Sequence, residues 1–89
     1  MRVRWTEVAA AHVEEIYDFI CRDNPDAASA TVEKLIVAVE RLALYPNLGR
    51  VAEHGARKLI HPPFLIVYRI VEDVINIESV FHGSYWRLR

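Results

Sequence analysis

From Ala9 to Leu42 the apolar residues recur at helical spacing, and from Leu59 onward they come in short, β-branched runs. The chain therefore reads as a helical half followed by a strand half. Before the first helix, Arg2-Val3-Arg4-Trp5 alternates polar with apolar and predicts a short strand burying Val3 and Trp5. Thr6 then offers an N-cap hydroxyl, and Glu7 places a carboxylate in the first helical turn, where unpaired amides and the helix dipole favour it. The first helix carries its stripe on Ala9, Val13, Ile16 and Ile20, with His12 and Phe19 on the flanks. Asn24-Pro25 opens a second helix, because proline has no amide hydrogen to leave unpaired at the first helical position and Asn24 can cap it. Its stripe is Ala28, Val32, Leu35, Ile36, Val39 and Leu42, ending near Tyr45-Pro46. So short a connection predicts an antiparallel helical hairpin.

Residues 46–55 lack periodicity and contain Pro46, Asn47, Gly49 and Gly55, which predicts a loop. Ala56 to Ile60 reads as a strand, ended by His61-Pro62-Pro63 because proline cannot donate to a central ladder. The stretch from Phe64 to Trp86 is the strongest pattern: two apolar runs separated by Glu72-Asp73, the form of a β-hairpin. A two-residue turn would pair Val71 with Val74, Ile70 with Ile75, Tyr68 with Ile77, Ile66 with Ser79 and Phe64 with Phe81. That register places Phe64, Ile66, Tyr68, Ile70, Ile75, Ile77 and Phe81 on a core face. Leu65, Val67, Arg69, Asn76, Glu78, Val80 and His82 fall on a solvated or partner-covered one. The expected fold is a single α+β domain over residues 1–89. It has two layers in the order β-α-α-β-β-β, with the helical hairpin packed on a mainly antiparallel four-stranded sheet.

Composition narrows the function. The formal charge is −1 and the pI about 6.4, without the Lys/Arg excess through which phosphate-binding proteins gain most of their affinity. Strong direct nucleic-acid binding is therefore not expected. The basic residues are nonetheless uneven along the chain, with Arg2 and Arg4 at one end, Arg50, Arg57 and Lys58 in the middle and Arg87 and Arg89 at the other, which leaves room for a local basic patch. Cys21 is the single cysteine and has no ligand-spaced neighbours, so it reads as a buried small hydrophobe in a reducing compartment. His12 and His54 also lack metal-ligand spacing, and neither a metal nor another cofactor is expected. With no membrane-length apolar run and no leader-type apolar segment at the N-terminus, a cytoplasmic protein is expected.

Trp5 before the first helix, the Asn24-Pro25 junction, Tyr45-Pro46 with Gly49-Arg50, Arg57 with Leu59, the Phe64-Leu65-Ile66-Val67-Tyr68-Arg69 strand and the His82-Gly83 ending occur in order through nearly the whole chain. In this ordered set the chain resembles the ParE/RelE toxin superfamily of type II toxin–antitoxin modules. The resemblance implies a cognate antitoxin as partner, of the ribbon-helix-helix kind with a C-terminal segment that wraps the toxin. It also implies one of two targets: DNA gyrase for ParE-like members, or messenger RNA on the ribosome for RelE-like members.

RelE-like chains carry an arginine after the aromatic residue that opens the equivalent of the Phe64 strand and another after the last strand. Here those positions hold Leu65 and Tyr85, and an aliphatic side chain can neither hold a phosphate nor move a proton. The ParE-like reading, with no catalytic residues, is therefore preferred. A reduced nuclease site would have to use Arg57, Lys58, His82 and Tyr85. The residues expected to meet the target are His82, Tyr85, Trp86, Arg87 and Arg89, since aromatic and arginine side chains are enriched at binding hot spots. Alternatively, Trp86 and Leu88 fold back on the core. Arg50, Arg57, Arg69 and Glu78 are the expected antitoxin contacts, with a structural Arg69–Glu78 ion pair as the plainer role for two of them. A non-toxic, antitoxin-binding relative of the same fold is the third alternative.

Overall fold

A computed structural model of the protein describes residues 1–83. Its elements are β1 (Arg2–Trp5), α1 (Glu7–Cys21), α2 (Pro25–Leu44), β2 (Arg50–Val51), β3 (Arg57–His61), β4 (Phe64–Val71) and β5 (Val74–His82), with one 3-10 turn at Glu53–Gly55. Both helix starts follow from their caps: Thr6 Oγ accepts the Ala9 amide and Asn24 Oδ1 accepts the Ala27 amide, each at 3.1 Å. The two helices form the expected hairpin on one face of the sheet. The sheet runs in the order β1-β5-β4-β3-β2, with β1 parallel to β5 and the other pairs antiparallel.

The architecture is the two-layer α+β arrangement that the hydrophobic pattern predicts, with one strand more. Within the expected loop, Arg50 and Val51 pair with Lys58 and Arg57 as the edge strand β2. Two residues are too short to show a period, which is why the pattern does not reveal them.

The core joins Ala9 and Ile16 of α1 and Leu35, Ala38, Val39 and Leu42 of α2 to Phe64, Ile66 and Tyr68 of β4 and Ile75, Ile77 and Val80 of β5. Burying each of the valine, leucine, isoleucine and phenylalanine side chains in it contributes about 1.5–3 kcal/mol. Ile36, expected on the α2 stripe, is instead exposed, and Ala38 takes the core position. Cys21, at the end of α1, is half-buried rather than buried.

The hairpin departs from the straight register. Val71–Val74, Ile70–Ile75 and Tyr68–Ile77 pair as predicted, but Val67 then faces Ser79, so Glu78 is an extra residue forming a β-bulge. Beyond it Ile66 faces Val80 and Phe64 faces His82, in place of Ser79 and Phe81. The straight register would press the Ser79 hydroxyl into the core; the bulge substitutes Val80 there, which is fully buried, and turns Phe81 to the other face beside Leu65. The turn itself has two residues, and Glu72 meets its geometry with a left-handed backbone, φ 55°.

Candidate functional site

Beyond Ile77 the strand β1 has ended, so the edge of β5 needs other partners. Thr6 supplies them at the corner, its amide and its hydroxyl both donating to the Ile77 carbonyl at 3.2 and 2.7 Å. Farther along α1, His12 Nδ1 accepts the Val80 amide at 3.3 Å while its ring lies 5.3 Å from Phe81. His12 thus covers a strand edge rather than forming part of a ligand set. Among the described residues no group of His, Cys, Asp and Glu is arranged to hold a metal ion.

At the other side of the sheet, the chain leaving α2 is fastened to β3 and β4. The buried Tyr68 hydroxyl accepts the Gly49 amide at 2.7 Å and donates to Pro46 O at 2.8 Å. Arg57 Nη1 donates to Gly49 O at 2.8 Å. A β-carbon on Gly49 would lie 2.6 Å from the Tyr68 ring, so the close approach requires glycine. Next to this clamp, Arg69 Nε donates to Glu78 Oε2 at 3.0 Å and its Nη1 to the His54 carbonyl, tying the 3-10 turn to the bulge. The clamp presents Tyr45, Leu48 and Val51, all exposed apolar side chains.

The four basic and acid–base candidates for strand scission divide as follows. Arg57 pairs with Tyr68 and so lies on the helix-facing side, held to Gly49 O. Lys58 pairs with Val67 and projects from the opposite side. His82 pairs with Phe64, its ring edge-on to that phenyl at 5.8 Å, four residues along β4 from Tyr68, or about 13 Å at strand spacing. Burial lowers the pKa of its imidazole below the ordinary value. Tyr85, with the candidate target contacts Trp86, Arg87 and Arg89, lies outside the described residues. Of the expected antitoxin contacts, Arg69 and Glu78 form the ion pair. Arg57 is in the loop clamp on the helix-facing side, and Arg50 is exposed on β2 opposite Lys58.

One feature was not legible as a site. A groove of about 560 Å³ runs between α2 and β1, lined by Met1, Val3, Trp5, Ile36, Val37 and Leu44 among others. Ile36, Val37 and Leu44 are each exposed by more than two-fifths. It lies alongside the outer edge of β1, which among the described residues pairs only with β5. Val37 and Leu44 stand seven residues apart on α2, off the core stripe; that spacing, two helical turns, was the available signal.

Comparison with known proteins follows the same outline. The family model described as ParE toxin of type II toxin-antitoxin system, parDE, matches residues 3–85. The protein Y4kP of Sinorhizobium fredii is 40% identical over 85 residues, covering 92% of this chain and 88% of its own. Toxin RelE2 of Caulobacter vibrioides is 33% identical over 84 residues, covering 93% of this chain and 96% of its own. Among solved structures, a chain of the chromosomal ParDE toxin–antitoxin system from P. aeruginosa superposes with a TM-score of 0.80 at 28% identity, covering 92% of this chain and 95% of that one. A chain of the RelBE2 toxin–antitoxin complex from Mycobacterium tuberculosis shares the fold, with a TM-score of 0.62 at 21% identity over 91% of this chain and 95% of that one.

Proposed function

Because the chain belongs to the ParE toxin family of type II toxin–antitoxin systems, we propose that it arrests growth in the cytoplasm by inhibiting DNA gyrase and is neutralised by a cognate antitoxin. The observation that carries gyrase over RNA cleavage is the separation of Arg57, Lys58 and His82. Two of them face opposite sides of the sheet, and the third stands about four strand residues away. Phosphodiester cleavage needs a base for the 2′-hydroxyl and cations around the developing negative charge within hydrogen-bond reach of one another's substrate atoms. Leu65, where RelE-like chains carry an arginine, is a half-buried aliphatic residue between Ile60 and Phe81. Target contacts would then come from His82 and from Tyr85, Trp86, Arg87 and Arg89.

The groove between α2 and β1 supports the second half of the proposal. An antitoxin segment that lays an apolar face on Val37 and Leu44 while pairing with the open edge of β1 would use both hydrophobic burial and main-chain hydrogen bonds. Arg50, Arg57, Arg69 and Glu78 are the contacts proposed for the rest of that segment. Induction in a bacterial host tests the target. The proposal expects chromosomal breaks and an SOS response with intact transcripts; ribosome-dependent transcript cleavage without DNA damage would refute it.

A further inference from the structure

The near-zero net charge conceals a strong internal division. Residues 7–44, the helical layer, contain eight carboxylates and three basic residues. The five strands contain six basic residues and one carboxylate, Glu78. Register assigns the basic ones to faces: Arg57 turns toward α1 and α2, while Arg2 and Arg4 (opposite Val74 and Asn76), Arg50 (opposite Lys58), Lys58 and Arg69 share the face turned away from those helices. Arg69 is neutralised by Glu78. Arg2, Arg4, Arg50 and Lys58 are exposed, and among the described residues none of the four forms a side-chain ion pair.

We propose that this sheet face, turned away from α1 and α2, is a docking surface for the phosphate backbone of duplex DNA. The four cations form two pairs at opposite edges of the sheet. Arg2 and Arg4 on β1 stand four strand spacings, about 19 Å, from Arg50 on β2. That span brackets a major groove of about 12 Å together with the phosphates on its rims. Between the pairs lie Leu65, Val67, Val71 and Val74 together with Asn76, Ser79 and the neutralised Arg69–Glu78 pair, and a hollow of about 390 Å³ beside Arg2 and Arg4 that Glu72 of the hairpin turn also lines. Phe81, the one aromatic ring on this face among the described residues, is half-buried and packs near His12, so no exposed stacking platform for single-stranded bases is present there. Charge pairs at fixed separation, with no exposed ring between them among the described residues, suit a double-stranded backbone read by phosphates alone. The inference goes beyond gyrase inhibition and does not depend on it.

The test is fluorescence anisotropy of the full chain with a labelled mixed-sequence duplex of about 20 base pairs, titrated between about 50 and 200 mM salt. Four phosphate contacts predict a log–log salt slope near −3.6, the same for unrelated sequences, at roughly 0.9 per contact. Arg2→Glu with Arg4→Glu, and separately Arg50→Glu with Lys58→Glu, should each weaken binding about tenfold or more and bring the slope near −1.8. The helical pair Arg22→Glu with Lys34→Glu should not weaken it. Unaltered binding by both sheet-face pairs would overturn the proposal. So would tighter binding of a single-stranded RNA of the same length, or displacement of the duplex by polyglutamate at equal charge, which would reassign the face to an acidic polypeptide.

Discussion

The buried Tyr68 hydroxyl receives the amide hydrogen of Gly49 at 2.7 Å and passes its own to Pro46 O, so one side chain of β4 holds the loop that follows α2. Tyr68→Phe leaves a buried amide and carbonyl without a partner and should cost about 1–3 kcal/mol. Gly49→Ala drives a methyl into the ring and should cost a similar amount, about 1–3 kcal/mol, through overpacking. Urea denaturation of the two variants and their combination checks this. Because both act on one contact, the double variant should lose less than the sum.

Arg69 has two attachments of different strength. Its bond to Glu78 is about one-third exposed, so Glu78→Gln should cost less than about 1 kcal/mol. Arg69→Met also frees the His54 carbonyl and should cost more than Glu78→Gln. Equal losses in thermal denaturation would contradict this ordering. If Arg69 also touches the antitoxin, its variant should weaken that complex in calorimetry while Glu78→Gln restores part of the loss on binding an acidic segment.

At Glu72 the turn places a residue with a β-carbon at φ 55°, where glycine is comfortable and other residues are strained. Glu72→Gly should stabilise the fold by about 0.5–1 kcal/mol. A lowered midpoint in urea would show that the carboxylate contributes more than the backbone costs.

His82 has a pKa lowered by burial. Its unfolded form therefore binds a proton at a higher pH than its folded form does, and stability must rise with pH across that interval. The protein should lose stability as pH falls from the ordinary histidine range through the lower folded pKa, and His82→Gln should flatten that part of the profile. A profile with the same slope in wild type and variant would exclude His82 as the source.

How much of this was legible depended on whether a residue's environment is set by local chain or by distant partners. Thr6 and Asn24 act through amides three residues away, and both caps follow from sequence. The bulge at Glu78 does not, because it is decided by which of Ser79 and Val80 better fills space beside Ile66, a comparison across two strands. Ile36 was assigned to the core by spacing alone, yet the groove beside β1 leaves it exposed. The basic residues were visible as an uneven distribution, whereas their gathering on one face required the strand order β1-β5-β4-β3-β2.

The α2–β1 groove should behave as a binding surface and not as core. Val37→Asp and Leu44→Asp change exposed side chains and should alter the stability of the isolated chain by less than about 0.5 kcal/mol. Each should weaken the antitoxin complex about tenfold or more if the groove is a hot spot. Calorimetry on co-purified partners reads the difference, and unchanged affinity would place the antitoxin elsewhere.

The most direct measurement is made with purified components: gyrase, relaxed plasmid, ATP and this chain, alongside translating ribosomes supplied with a reporter message. Recognition without phosphodiester chemistry predicts that supercoiling stops and linear plasmid accumulates only when gyrase is present, while the message stays whole. Unimpaired gyrase together with a cut message on the ribosome would contradict it.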